Sequence, residues 1–241
     1  MGKRIITQRR GRGTSTYRAH SFHFKGEVKH RPYDSLEKEG VIKGIVTDLI
    51  HCAGHSAVLA NIYYENGENV FIFANQGLLT TQTISSGSTA EPKAGNTLPL
   101  KNIPLGTSVY NIEQNAGDGG KFVRAAGVSA TIVAKTQDHV LVQLPSKKQK
   151  NFHENCRATI GVIAGTGRKE KPLVKAGNKF HAMKAKNKLY PKTSGVAMNA
   201  VDHPFGSGRG RHIGKPKTPP RNAPPGRNVG SLKAKRTGKK R

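Results

Sequence analysis

A mainly β protein is what this sequence predicts: two small closed barrels with extended basic arms at both ends and one short basic helix. The first observation behind it is the partition of charge. Residues 1–33 hold 9 Lys or Arg and 1 acid, residues 34–165 hold 11 of each, and residues 166–241 hold 21 and 2, within a net charge of +27 over 241 residues. Like charges resist compaction, so the neutral middle is the part able to fold by itself and the ends read as arms. The second observation is a series of β-branched runs cut by turn residues, beginning near Gly40. The third is a stretch rich in Gly, Ser, Thr and Pro, "SSGSTAEPKAGNT" (85–97), which divides those runs into two sets and reads as a loop between domains. Small all-β domains are stable near ~60 residues, so the middle has room for two.

In the first set, "VIKGIVTDLI" (41–50), "SAVLANIYYE" (56–65) and "NVFIFA" (69–74) read as strands. Asn66-Gly67 joins the last two, a pair able to take the positive φ angles of a tight hairpin. Alternation places Val58, Ala60, Ile62 and Tyr64 on one face and Leu59, Asn61 and Tyr63 on the other. In the second set, "TSVYNIE" (107–113), "KFVRAAG" (121–127), "SATIVAK" (129–135), "HVLVQL" (139–144) and "RATIGVI" (157–163) read as strands. Strands this short favour closed barrels, because closure hides their edges. "NKFHAMKAKNKL" (178–189) is expected to form the basic helix, capped by Asn178. The boundaries that result are an N-terminal arm over 1–33, barrels over 34–97 and 98–176, and a basic extension over 177–241. Past Pro191 few apolar side chains remain to offset the ordering entropy, roughly 1–2 kcal/mol per residue, so this tail is expected to be disordered alone in water.

Such a charge balance calls for a polyanionic partner. Arg4, Arg9, Arg10, Arg12, Arg18 and Arg31 alternate with small polar residues, and Tyr17, Phe22, Phe24 and Tyr33 are interleaved. Guanidinium groups pair bidentately with phosphate and stack on bases, and aromatic rings accept unpaired bases, a combination suited to folded RNA. Charge alone leaves DNA open. Further candidate contacts are Lys121, Arg124, Arg168, Lys184, Lys186, Lys188, Asn199, His203, Arg209, Arg211, Lys215, Arg221 and Arg227.

Other chemistry is weaker. "HCAGH" (His51, Cys52, His55) resembles half a zinc site, which His153 and Cys156 complete only if the barrels meet. Loop residues near a strand end explain it more simply, and no metal or cofactor is expected. "GVIAGTGRKEKP" (161–172) lacks the spacing of a phosphate-binding Walker loop. Asp202 and His203 form two thirds of a nucleophilic triad, but their segment supplies no scaffold to hold a catalytic pair, so no enzyme and no small-molecule substrate are expected. Two cysteines make no disulfide framework, which favours a reducing, cytoplasmic setting. No apolar run approaches the ~18 residues that span a bilayer, and Ile6 occupies the position where a myristoylation signal needs a hydroxyl. Gly11 and Gly13 weaken an organellar transit helix.

"GVAMNAVDHPFGSGRGR" (195–211), "LPLKNIPLGTSVYNIE" (98–113), "GGKFVRAAG" (119–127) and "CRATIG" (156–161) closely resemble the universal L-two family of large-ribosomal-subunit proteins, of archaeal or eukaryotic type. The resemblance covers essentially the whole chain in order. It implies that the barrel over 34–97 is an OB-fold and that over 98–176 is SH3-like. It also implies a primary binder of large-subunit ribosomal RNA, with neighbouring ribosomal proteins as further partners and no membrane. The roles implied are subunit assembly, subunit association and support of the peptidyl-transferase centre. By motif, His203 matches the histidine once proposed to assist peptide-bond formation. Compared with the bacterial pattern, Ala200, Phe205, Ser207 and Arg209 replace Pro, His, Gly and Glu, and Phe205 removes any two-histidine relay. Asp202 is expected to accept backbone N–H bonds in a turn ending at Pro204, while Gly206, Ser207 and Gly208 let Arg209 and Arg211 approach phosphates.

Overall fold

The structure is a computed structural model and describes residues 2–10, 12–168, 170–232 and 234. Gly11 and residues 235–241 of the basic extension lie outside the described residues. The chain divides into two compact units, Ser21–Pro172 and Met1–His20 with Leu173–Arg241.

The Ser21–Pro172 unit is mainly β, as expected. Its strands are β1 (Val41–Ile50), β2 (Leu59–Tyr64), β3 (Asn69–Phe73), β4 (Thr83–Gly87), β5 (Thr97–Pro99), β6 (Ser108–Tyr110), β7 (Ala130–Lys135), β8 (His139–Gln143), β9 (Gln149–His153) and β10 (Arg157–Ile160). They form one continuous sheet in the order β3-β2-β1-β4-β5-β10-β6-β7-β8-β9. The two halves of that order meet at a single parallel pairing, Ser86 with Thr97. Elsewhere neighbouring strands run antiparallel. One core lies within the first half, around Ile42, Val46, Ile62, Tyr64, Ile72 and Ile84. A second lies within the other half, around Leu98, Leu100, Val109, Ile132, Val142 and Phe152. A third, with Val28, Leu59, Phe73, Tyr110 and Ile163, draws side chains from both halves.

Local sequence explains most of this. In β1, Ile42, Gly44 and Val46 point inward in strict alternation. Gly44 is small because a Cβ there would meet Ile62 Cγ2 at 2.6 Å and the Tyr64 ring at 2.8 Å. A bulge between Val46 and Asp48 then shifts the register against β2. Ala60, Ile62 and Tyr64 share the first core, as the alternation predicts, but Leu59 on the opposite face is equally buried in the third cluster. In the hairpin only Gly67 takes a positive φ, +84°. Tyr64 N–H donates to Glu68 O and Gly67 N–H to Tyr64 O, so the connection is a longer loop with a glycine bulge, not a two-residue turn.

Four assignments differ from the sequence reading. The stretch expected as loop over 85–97 begins inside β4 and ends on β5. The polar string in β4 is buried because its groups find partners: Ser86 Oγ donates to Glu37 Oε1, and Ser85 N–H donates to Asn96 Oδ1 at 2.8 Å. "KFVRAAG" is not a strand; only Phe122 makes a bridge, to Ile112, and Val123 turns to φ +54°. β9 carries no apolar alternation in its sequence, because Phe152 alone of its residues is buried. A five-residue helix α2 (Ser35–Glu39), begun by Asp34 accepting Glu37 N–H, was also unforeseen.

Four charged side chains are buried together in this unit. Arg31 Nη1 donates to Glu37 Oε2 at 2.7 Å, and its other nitrogens reach Asp34 and Glu68. Arg157 lies 3.1 Å from the second Glu37 oxygen and donates to Glu113 Oε1 at 2.7 Å and to Arg31 O at 2.8 Å. Both arginines are 1% exposed; Glu37 and Glu113 share that burial, while Asp34 and Glu68 reach Arg31 from the surface. Burial opposes ionisation of Glu113, but the hydrogen bonds from Arg157 outweigh it and hold the carboxyl below its ordinary range. The bond from Arg31 is the main cause that brings Asp34 down to about 2. His30 is buried beside this network with Nε2 2.7 Å from Asn111 O. Burial, aided by the Arg157 charge, lowers its imidazole to about 4.

Two outcomes follow for the full chain in urea unfolding followed by far-UV dichroism. Glu113→Gln should cost about 3–5 kcal/mol, because it leaves the buried Arg157 charge with only the Glu37 carboxylate that Arg31 also uses; Arg157→Met combined with Glu113→Leu should cost less than the sum of the two single changes. Because His30 binds a proton more readily when unfolded, it should make stability fall as pH drops from about 6.5 to about 4, and His30→Gln should remove that part of the slope.

Candidate nucleic-acid interface

The other unit holds most of the cations. Near its N-terminus, α1 (Ile6–Arg10) has no acid in its first turn and Arg9 and Arg10 in its last, a placement that favours cations at the carbonyl end. Ile5 is buried, its N–H held by Gln8 Oε1 at 3.2 Å, and Lys3 N–H donates to Val201 O at 2.8 Å. Residues 2–10 are thereby tied to the segment around Asp202 and His203. The apolar pair Ile5-Ile6 inside an otherwise basic stretch was the unread sign of this contact. α3 (Ala176–Lys184) covers the first part of the expected basic helix, beginning two residues early and ending five residues short. Its N-cap is Lys175, not Asn178, whose side-chain amide instead donates to Leu173 O at 3.0 Å.

The segment 195–207 is a compact turn with its own hydrogen bonds. Asp202 and His203 N–H donate to Asn199 O, Gly206 N–H donates to His203 O, and Ser207 N–H donates to Met198 O. His203 Nδ1 accepts Phe205 N–H at 3.0 Å, and the two rings lie 5.2 Å apart. The turn is therefore capped by the His203 ring; among the described residues the Asp202 carboxylate accepts no backbone N–H. Gly195 provides the bed for that ring, since a Cβ there would overlap it. Partial burial lowers the His203 pKa, which favours the neutral imidazole. A neutral ring whose Nδ1 already accepts a bond serves as a brace.

Four of the sequence-predicted cations line clefts at this turn, and others lie elsewhere in the unit. Arg4, Arg9 and Asn199 line one cleft of about 390 Å³ with Asp202, and Arg4 and His203 share another of about 310 Å³. Lys215 and Arg227 flank a third, floored by Pro204, Phe205 and further prolines. Lys184 and Lys188 border a fourth. Arg10 lies 5.9 Å from the Tyr17 ring centroid. Arg12, Arg18, Lys186, Arg209, Arg211 and Arg221 are exposed.

In the Ser21–Pro172 unit the picture differs. Arg31, expected to contact RNA, is instead internal: its guanidinium is enclosed by Asp34, Glu37 and Glu68 and has no surface to offer a phosphate. Arg124 is half-buried, donates to Val28 O at 2.6 Å and lies over the Phe73 ring. Lys121 is exposed beside Asp118, 3.5 Å away, and Arg168 is exposed. The two halves of the zinc motif stay apart, with Cys52 in the third core and Cys156 in the second. His55 Nδ1 contacts Cys52 Sγ at 3.3 Å, and among the described residues no three His, Cys, Asp or Glu side chains are placed to hold a metal.

Residues 2–86 match the family model described as Ribosomal Proteins L2, RNA binding N-terminal domain, and residues 93–223 match Ribosomal Proteins L2, C-terminal domain. The chain belongs to the L2 family of ribosomal proteins. It is 52% identical over 241 residues to large ribosomal subunit protein uL2 of Methanothermobacter thermautotrophicus, covering all of both chains. With uL2 of Archaeoglobus fulgidus it shares 52% identity over 241 residues, again end to end. With that of Halorubrum lacusprofundi it shares 52% over 239 residues, 99% of this chain and 98% of the other. The two L2 family domains fit the two halves of the sheet as an OB-fold barrel followed by an SH3-like barrel.

In this L2-family chain Gly195→Ala should displace the His203 ring and break its bond to Phe205 N–H. An NMR titration should then show the imidazole pKa rising toward its ordinary ~6.5; an unchanged value would mean that the ring does not rest on Gly195.

Proposed function

We propose that the chain is a structural constituent of the large ribosomal subunit in the cytoplasm and a primary binder of its ribosomal RNA. In that role it supports subunit assembly, subunit association and the peptidyl-transferase centre, alongside neighbouring ribosomal proteins. The observation that carries this reading is full-length similarity to uL2 proteins, joined to a compact unit whose exposed surface is crowded with uncompensated cations. We further propose that Arg4, Arg9, Arg10, Arg12, Arg18, Lys184, Lys186, Lys188, Asn199, Arg209, Arg211, Lys215, Arg221 and Arg227 supply the RNA contacts of that unit, and Lys121, Arg124 and Arg168 those of the barrels. His203 acts by holding the turn that presents Arg209 and Arg211, and the protein has no enzymatic activity of its own. Its Nδ1 bond to Phe205 and its half-buried ring support this positional role.

The test is the salt dependence of binding to large-subunit ribosomal RNA. If roughly 6–10 phosphates are neutralised, affinity should fall about 10³–10⁵-fold between about 50 and 200 mM salt. Deleting 190–241 should remove most of that slope while the β dichroism persists. A shallow dependence in the full chain contradicts the reading. Duplex DNA should compete poorly at equal salt, because it lacks the 2′-OH groups and unpaired bases of folded RNA.

A further inference from the structure

The cleft bordered by Lys184 and Lys188 has a lining unlike that of a plain phosphate groove. Phe180 and Tyr190 present two aromatic rings to it, and His20 contributes a third planar ring. Phe180 is 42% exposed on a helix that also carries Lys179, His181 and Lys184, so its apolar surface is left for an occupant. The Lys179 ammonium lies 5.3 Å from the Tyr190 ring centroid and Phe180 packs edge-on against His181 at 5.5 Å, so both rings are held in place.

The walls are built from distant parts of the chain. Asn187, at φ +51° in the turn after α3, donates through Nδ2 to Arg18 O and sets Oδ1 3.1 Å from His20 Nε2. This one side chain ties the N-terminal segment to the end of the helix and so closes the cleft. The volume is about 460 Å³, in the range of sites that take small planar ligands and ample for one base with its ribose. By contrast, the Pro204 groove offers one aromatic ring, Phe205.

We infer that this cleft is a binding site for a single unstacked nucleobase of RNA, with Phe180 and Tyr190 as stacking surfaces and Lys184 and Lys188 as partners for the flanking phosphates. The inference rests on the proposed RNA-binding role and adds to it a defined subsite. Aromatic faces accept any base and ammonium groups track the backbone, so the site selects an extruded nucleotide over a paired one.

Ultraviolet cross-linking of the full chain to transcribed large-subunit ribosomal RNA, followed by peptide mass spectrometry, tests it directly. A nucleotide adduct on Phe180, Tyr190 or His20, mapping to an unpaired nucleotide, is expected. Phe180→Ala and Tyr190→Ala should each weaken binding about 5- to 150-fold with the salt slope unchanged, and Phe180→Tyr should retain affinity. Lys184→Ala with Lys188→Ala should instead reduce the slope. Adducts confined to other segments, together with wild-type affinity for Phe180→Leu, would overturn the site while leaving the RNA-binding role standing. Salt-insensitive binding by the unaltered chain would overturn that role first. Because the cross-link is read on the unaltered protein, a variant that fails to fold does not decide the matter.

Discussion

Where a cation finds an acid decides what it does in this protein. Arg31 and Arg157 share Glu37 and take up Asp34, Glu68 and Glu113 around them, which lets two guanidinium groups sit inside a β unit at 1% exposure. Residues 166–241 contain 21 cations and 2 acids, so no such internal pairing is open to them. Internal pairing ties the barrels together through the stretch from His30 to Glu37. External pairing is all that remains for the ends, and a polyanion is the partner that supplies it.

The same contrast shows what could be read from the residues. Runs with alternating apolar positions, such as Val41–Ile50 and His139–Gln143, were legible because the pleat writes itself into the sequence with period two. β4 and β9 were not, since their burial rests on hydroxyl partners and on one phenylalanine. Arg31 was misread for a related reason: it lies among basic residues, yet Asp34 and Glu37 follow at three and six positions, the spacing that folds back onto it through a short helix. Composition counts charges; it does not show which are spent on one another.

The interface was legible in part. The basic residues of 1–20 and 173–232 are largely exposed, as their composition requires. A turn ending at Pro204 was expected, within a tail expected to be disordered alone in water, but its keystone was assigned to Asp202 when the ring of His203 holds Phe205 N–H. Ionic capping is the stronger motif in isolation, and a histidine acting as acceptor through Nδ1 is visible only once Gly195 is seen to make room for it. Family resemblance identified the segment as important, and geometry supplied what the ring does there.

A hydroxyl-radical footprint on large-subunit ribosomal RNA, taken with the full chain and with a chain ending at residue 189, probes the division of labour most directly. Internally neutralised barrels and externally neutralised ends require two sets of protected riboses: one that vanishes with the truncation and one that survives it. An identical footprint from both proteins would show that the cations beyond residue 189 do not engage the RNA.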